Sequence, residues 1–114
     1  MNASPTPPSN TPHLVLTSFP SERVAKKIAG HLIEEKLAAC VSLIPGAQSM
    51  YFWEGAIQQD VEWLGLIKTQ ASTYKDLEKR LLELHPYETP EVLAIDIAQG
   101  SPAYLKWLGE TLAR

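Results

Sequence analysis

The side chains best suited to chemistry in this 114-residue chain are one histidine and one cysteine, His85 and Cys40. Neutral imidazole and thiolate are both common ligands of copper and zinc. His85 precedes Pro86 at the predicted end of a helix, where it could instead bond the last carbonyls of that helix. Cys40 lies between Ala39 and Val41, where a free thiol usually packs as a small hydrophobic group. Each side chain is therefore either a metal ligand, for copper or another divalent cation, or a structural group.

A second set of candidates consists of charged and aromatic side chains on predicted strands and loops. Lys68 ends a strand that is apolar on both faces, and an unpaired buried ammonium group is costly. We therefore expect Lys68 to pair with Glu62 or Glu88, within one chain or across a subunit boundary. Such a pair either serves structure or lines an inter-subunit cleft for a small anionic or metal-bound ligand. The residues expected at that cleft are Tyr51, Trp53, Glu62, Lys68, Tyr87 and Glu88.

Several function classes are disfavoured by motif and composition. The sequence has no Gly-x-Ser-x-Gly elbow and no glycine-rich phosphate loop, so no catalytic role is predicted. The net charge of −3 argues against a nucleic-acid partner. No apolar run approaches the roughly 20 residues that a membrane span needs. The single cysteine excludes an intramolecular disulfide and is compatible with the cytoplasm.

Seven predicted elements position these candidates, in the order β-α-β-β-α-β-α. A strand at 13–19 is followed by a helix that Ser21 caps and that ends near Lys36. A long hairpin then has arms from about 39 to 53 and from about 57 to 70, with its turn at Glu54-Gly55. Ser72 is expected to cap the second helix, and Pro86 to stop it. The last strand covers 91–98, and the last helix begins at 101–102.

The first six elements predict an α+β fold of the ferredoxin-like β-α-β-β-α-β type, followed by a C-terminal helix. Both internal helices would cover one face of the sheet, so the other face would expose many apolar residues. An exposed apolar surface of that size usually marks an interface, which predicts an oligomer. Residues 1–12 contain four prolines and no aliphatic side chain larger than alanine, so we expect a flexible tail before a single domain at 13–114.

Six segments together resemble the CutA family, the divalent-cation tolerance proteins. The resemblance spans residues 13–114, and the segments occur in the family's order and spacing. They are Glu35–Val41, Leu43–Gly46, Tyr51–Gly55, Leu66–Thr69, His85–Glu91 and Tyr104–Leu108.

The resemblance implies a ferredoxin-like protomer in a tight homotrimer, with long hairpins that reach around neighbouring subunits, similar to the P-II nitrogen-signalling proteins. It also implies a cytoplasmic protein that contributes to tolerance of copper and other divalent cations. Some family members bind copper through two adjacent histidines before the proline and a cysteine near the end of the first strand. Leu84 and Thr17 occupy two of those positions here. The alternative implied by the P-II likeness is a trimeric signalling or scaffold protein that binds a partner or small ligand in its inter-subunit clefts.

Overall fold

The computed structural model describes residues 10–114, and residues 1–9 of the predicted tail lie outside this range. Pro12 already belongs to the first strand, and the Thr11 carbonyl accepts a hydrogen bond from Ala71 N–H at 2.8 Å. The elements are β1 (Pro12–Phe19), α1 (Glu22–Glu34), β2 (Cys40–Trp53), β3 (Ala56–Gln70), α2 (Ala71–Leu84), β4 (Leu93–Asp96) and α3 (Pro102–Leu112). None of the helices in this range is long and apolar enough to cross a membrane.

The four described strands form one antiparallel sheet in the order β2-β3-β1-β4. This order and the two internal helices confirm the predicted ferredoxin-like α+β fold. Alternate residues of β1 and β3 face the helices, so the core lies between that face and α1 with α2. The fully buried side chains there include Val15, Phe19, Ile28, Leu32, Ile67, Leu77 and Leu81.

The β2–β3 hairpin extends well beyond this core, and the molecule measures 51 Å along its longest axis but only 25 Å along its shortest. Its turn is at Glu54 and Gly55, which have φ angles of 50° and 78°. Two positive φ angles in succession suit the tight right-twisted turn of a two-residue hairpin. The predicted irregularity at Pro45-Gly46 is also confirmed, because the register shifts between Ile44 and Ala47.

The start of α2 was predicted incorrectly. Gln70, and not Ser72, is the N-cap residue, and its side chain makes no capping hydrogen bond. Strand β3 runs directly into α2, and the first helical N–H, that of Ala71, bonds to Thr11 in the neighbouring chain segment. Strand β4 is also shorter than predicted, since only Leu93–Asp96 pair with β1.

Many apolar side chains on the hairpin and on the open face of the sheet are exposed, as the sequence predicted. Met50, Phe52, Ile57 and Val61 on the hairpin are 66–72% exposed. Ile44, Leu93 and Ile95 add about half-exposed side chains on the sheet. One chain alone leaves this surface uncovered.

Candidate functional site

His85 directly follows α2 and is buried against the end of β1. Its Nε2 lies 2.7 Å from the Ser18 carbonyl, and its Nδ1 lies 3.2 Å from the Tyr87 backbone N–H. Because the Tyr87 N–H is a donor, Nδ1 must accept, which places the imidazole proton on Nε2. The ring also stacks on Phe19, with centroids 5.5 Å apart. His85 thus ties the loop after α2 to β1.

This environment does not fit the predicted metal site. Burial lowers the pKa of His85 below its ordinary value, although the hydrogen bond to Ser18 opposes that shift. This shift favours the neutral imidazole, but both of its nitrogens already have hydrogen-bond partners. Within residues 10–114, no three His, Cys, Asp or Glu side chains are grouped so that they could hold a metal ion. A metal at His85 would have to displace the Tyr87 N–H.

Cys40 lies beside Lys68, its direct neighbour in the β2–β3 register. The Lys68 ammonium donates to the Ser42 hydroxyl at 2.6 Å and to the Leu66 carbonyl at 3.5 Å, and it lies 3.6 Å from the Cys40 sulfur. The thiol is only partly buried in the single chain.

Lys68 contacts no carboxylate in the described part of the chain, which corrects the intrachain form of the predicted ion pair. Lys68 and Glu62 do lie on the same face of β3. They are six residues apart, however, and a strand rises about 3.3 Å per residue, so about 20 Å separates them. A pair between Lys68 and a carboxylate of another subunit stays a prediction.

Glu62 instead belongs to a buried polar cluster with Tyr87 and Ser18. Its carboxylate oxygen Oε2 accepts hydrogen bonds from the Tyr87 hydroxyl and, at 3.4 Å, from the Ser18 hydroxyl. Burial and the hydrogen bond to Glu62 raise the pKa of Tyr87 above its usual range. His85 orients this cluster, because it holds both the backbone of Tyr87 and that of Ser18.

A second phenol–carboxylate pair lies farther out on the hairpin. The Tyr51 hydroxyl donates to Asp60, and this bond raises the pKa of Tyr51. Tyr51 is opposite Gln58 in the register, so Asp60 is its diagonal neighbour across the strands. Asp60 and Glu62 are two residues apart on β3, which places both carboxylates on one face.

The two pairs line a cavity of about 690 Å³ between the hairpin and the loop after α2. Five of the six predicted cleft residues are in its wall, and Lys68 is the exception. Ser18, Asp60 and Glu91 also line it but were not predicted. The spacing of Asp60 and Glu62 is visible in the sequence, whereas the approach of Ser18 is not. The wall consists of Ser18, Gln48, Ser49, Met50, Tyr51, Trp53, Asp60, Glu62, Tyr87, Glu88, Thr89 and Glu91.

The sheet order, the two helices on one face and the long hairpin define a ferredoxin-like α+β protein with an acidic, aromatic cavity beside that hairpin. The chain belongs to the CutA1 divalent ion tolerance protein family, whose model matches residues 13–111.

Similar proteins cover almost the whole described chain. The divalent-cation tolerance protein CutA of Thermus thermophilus is 47% identical over 97 residues, covering 85% of this chain and 94% of that protein. A CutA homologue of Xenopus laevis is 47% identical over 91 residues. The match covers 80% of this chain and 60% of that protein. The crystal structure of CutA from Xylella fastidiosa superposes with a TM-score of 0.89 at 38% identity, covering 90% of this chain and 99% of that one.

Proposed function

We propose that this protein is a homotrimer that contributes to tolerance of divalent cations, copper among them. The observation that supports an oligomer is the uncovered apolar surface of the hairpin, and the family resemblance implies that it has three copies. Fully burying a large apolar side chain is worth about 1.5–3 kcal/mol. Covering Met50, Phe52, Ile57 and Val61 would therefore stabilise an assembly by on the order of 5 kcal/mol. Neighbouring copies of the chain are the simplest cover for an arm of this length.

Sedimentation equilibrium tests the trimer directly. We expect a mass about three times the 12.6 kDa of one chain. Phe52→Asp should then cause dissociation with unfolding or aggregation, because the chain is not expected to persist alone. Leu82→Asp is the matched control, since Leu82 is 49% exposed on α2, away from the hairpin. A wild-type protein that sediments as a monomer would contradict the trimer. A well-folded monomeric Phe52→Asp variant would instead contradict the expectation that the chain does not persist alone.

The copper part of the proposal does not require His85 as a ligand. Both imidazole nitrogens are engaged by the protein, so a tolerance function carried by this chain would act without direct chelation at that residue. Calorimetric titration of the metal-free protein with copper(I), copper(II) and zinc tests this point, with His85→Gln beside the wild type. Glutamine retains an amide donor for Ser18. Tight saturable binding that is lost in His85→Gln would overturn this account and restore His85 as a ligand. Binding that persists in both proteins would leave Cys40 as the residue to vary next.

A second candidate function is ligand or partner binding in a cleft, in the manner of a trimeric signalling or scaffold protein. The specific observation that favours it is the cavity of about 690 Å³, whose size is typical of small-molecule sites. Part of its wall belongs to the hairpin that we expect neighbouring subunits to cover. We therefore propose that subunits meet close to this cavity.

We also propose a cytoplasmic location, which the single cysteine supports. Other family members carry names that place them in chloroplasts or in the periplasm. Cell fractionation with an antibody against the chain would decide, and recovery in another compartment would overturn this part.

A further inference from the structure

A second, smaller cavity of about 260 Å³ lies between the first turn of α2 and the end of α3. Ser72 and Thr73 of α2 line it, together with Gln70 and with Ala113 and Arg114 after α3. Strand β3 has 15 residues, so at about 3.3 Å per residue its end at Gln70 lies roughly 45 Å from the hairpin turn. This α2–α3 cavity is therefore far from the hairpin surface that we expect neighbouring subunits to cover.

The described chain begins beside the α2–α3 cavity. Pro12 is opposite Gln70 in the β1–β3 register, and Gln70 is part of the cavity wall. The carbonyl of Thr11 accepts a hydrogen bond from the Ala71 N–H at 2.8 Å, at the start of α2. A segment in the polyproline II conformation rises about 3.1 Å per residue, so residues 5–9 would span about 15 Å. The N-terminal segment is thus placed to reach this cavity.

The cavity wall offers hydrogen-bond donors that lack acceptors. Ser72 and Thr73 are the second and third residues of α2, so their N–H groups have no acceptor within the helix. The N-cap residue Gln70 makes no side-chain hydrogen bond, and no described carbonyl outside the helix accepts from either N–H. Thr73 is only 7% exposed, and its hydroxyl has no hydrogen-bond partner in the described part of the chain. The site therefore requires acceptors, which the positive end of the helix dipole also favours.

The composition of residues 1–9 suits such a site. The segment contains Pro5, Pro7 and Pro8 and has no charged side chain. Proline has no N–H, and the carbonyls of a polyproline II segment have no internal partners, so they are available as acceptors. The fixed φ angle of proline also lowers the entropy that docking would cost. The charged groups in the wall, Asp76 and Arg114, already pair with each other at 3.8 Å, so a neutral segment complements them.

We propose that residues 5–9 dock in the α2–α3 cavity of their own chain and cap α2, with backbone carbonyls that accept from the Ser72 and Thr73 N–H groups. Composition alone predicts a flexible tail, whereas docking would order this segment and join it to the end of α3. The inference goes beyond the proposed function and does not depend on a metal or on the larger cavity.

Amide hydrogen exchange followed by NMR tests the capping bonds, with the full-length protein compared with a variant that lacks residues 2–9. The deletion leaves β1 intact. The Ser72 and Thr73 amides should exchange about five- to tenfold faster in the variant, as expected for the loss of one hydrogen bond each. The Val24 amide, which donates to Ser21 in α1, is the internal control and should be unchanged. Unchanged exchange of Ser72 and Thr73 would overturn the proposal.

Backbone ¹⁵N relaxation tests whether the segment is ordered and where it docks. In the wild type we expect order parameters above about 0.6 for Thr6 and Ser9, the range of an ordered backbone. Ser72→Trp places a large side chain at the cavity and should lower both order parameters. Lys75→Trp is the matched control, because Lys75 is exposed on the same helix but is not in the cavity wall.

Two relaxation results would overturn the proposal. The first is a wild-type segment with order parameters below about 0.6, which would mean that it moves freely. The second is a segment that stays ordered in Ser72→Trp, which would mean that it docks elsewhere. Circular dichroism checks the fold of each variant, and the wild-type measurement decides even if a variant does not fold.

Discussion

Gly65→Ala should destabilise the protein, because the close approach of β1 leaves no room for a methyl group. A Cβ at this position would lie 2.8 Å from Cε2 of Phe19 and 3.1 Å from Cγ2 of Thr17. The Phe19 ring is fully buried and stacks on His85 with an interplanar angle of 15°, so it cannot move without displacing its neighbours. Overpacking of this kind costs about 1–3 kcal/mol. The lower entropy of the unfolded alanine chain offsets about 0.4–1 kcal/mol.

The net loss is therefore about 1–2 kcal/mol, which corresponds to a fall in melting temperature of roughly 4–8 °C for a chain of this size. Guanidinium and thermal unfolding followed by circular dichroism, at one protein concentration, would measure it. Gly30→Ala is the matched control, because Gly30 is an exposed helical residue with no atom within 4 Å of the place that an added methyl group would take. That change should stabilise α1 by about 0.5–1 kcal/mol. Equal effects of the two substitutions would refute the packing argument.

Three further substitutions or conditions give expected outcomes that the same unfolding assay can check. Burial lowers the pKa of His85, so the folded state favours the neutral ring. The contribution of His85 to the free energy of unfolding should therefore be full above pH 6.5, the unfolded value, and should be lost as the pH falls through the lower folded pKa. His85→Gln should remove that part of the pH dependence, and an unchanged pH profile would contradict it. Thr17→Val should stabilise the fold by about 1 kcal/mol, since the buried Thr17 hydroxyl has no hydrogen-bond partner among the described residues; a loss of stability would show that the hydroxyl is in fact satisfied. Ser21→Ala should cost about 1 kcal/mol, because Ser21 accepts from the Val24 N–H, whereas Ser72→Ala should cost much less.

The contrast between Ser21 and Ser72 shows which helix caps a local sequence pattern can predict. Each serine precedes an amphipathic stretch, and each is a residue type that caps helices. At Ser21 the chain turns sharply after β1, so the first N–H groups depend on the serine. At Ser72 the chain has already entered α2 from β3, and Thr11 supplies the acceptor for Ala71. That acceptor is 60 residues away in the sequence, from Thr11 to Ala71, so no local pattern encodes it.

The candidate site divides in the same way. The residue types alone identified His85, Glu62 and Tyr87 as candidates, together with Tyr51 and Trp53 on the hairpin. The structure brings all of these to one region. The contact partners expected for Lys68 and His85 differ from those in the structure. Lys68 was expected to pair with Glu62 or Glu88, but no carboxylate of the described chain contacts it, and Glu62 lies six residues away on the same face of β3. His85 was a candidate ligand, but its two nitrogens bond to Ser18 and Tyr87 instead.

The sequence by itself determined the seven elements, the hairpin turn at Glu54-Gly55, the irregularity at Pro45-Gly46 and the family. These features depend on interactions between residues close in the chain, or on a motif order that is read directly from it. Only the tertiary structure decided the partners of His85, Glu62 and Lys68, and with them the charge of the cavity. Those partners lie 25 to 67 residues away in sequence, except Tyr87 beside His85 and Leu66 beside Lys68. A hydrogen bond needs its two heavy atoms to lie within about 3 Å of each other. Residue types alone do not specify such distances, so distant groups meet only after strand register and helix packing have set their positions.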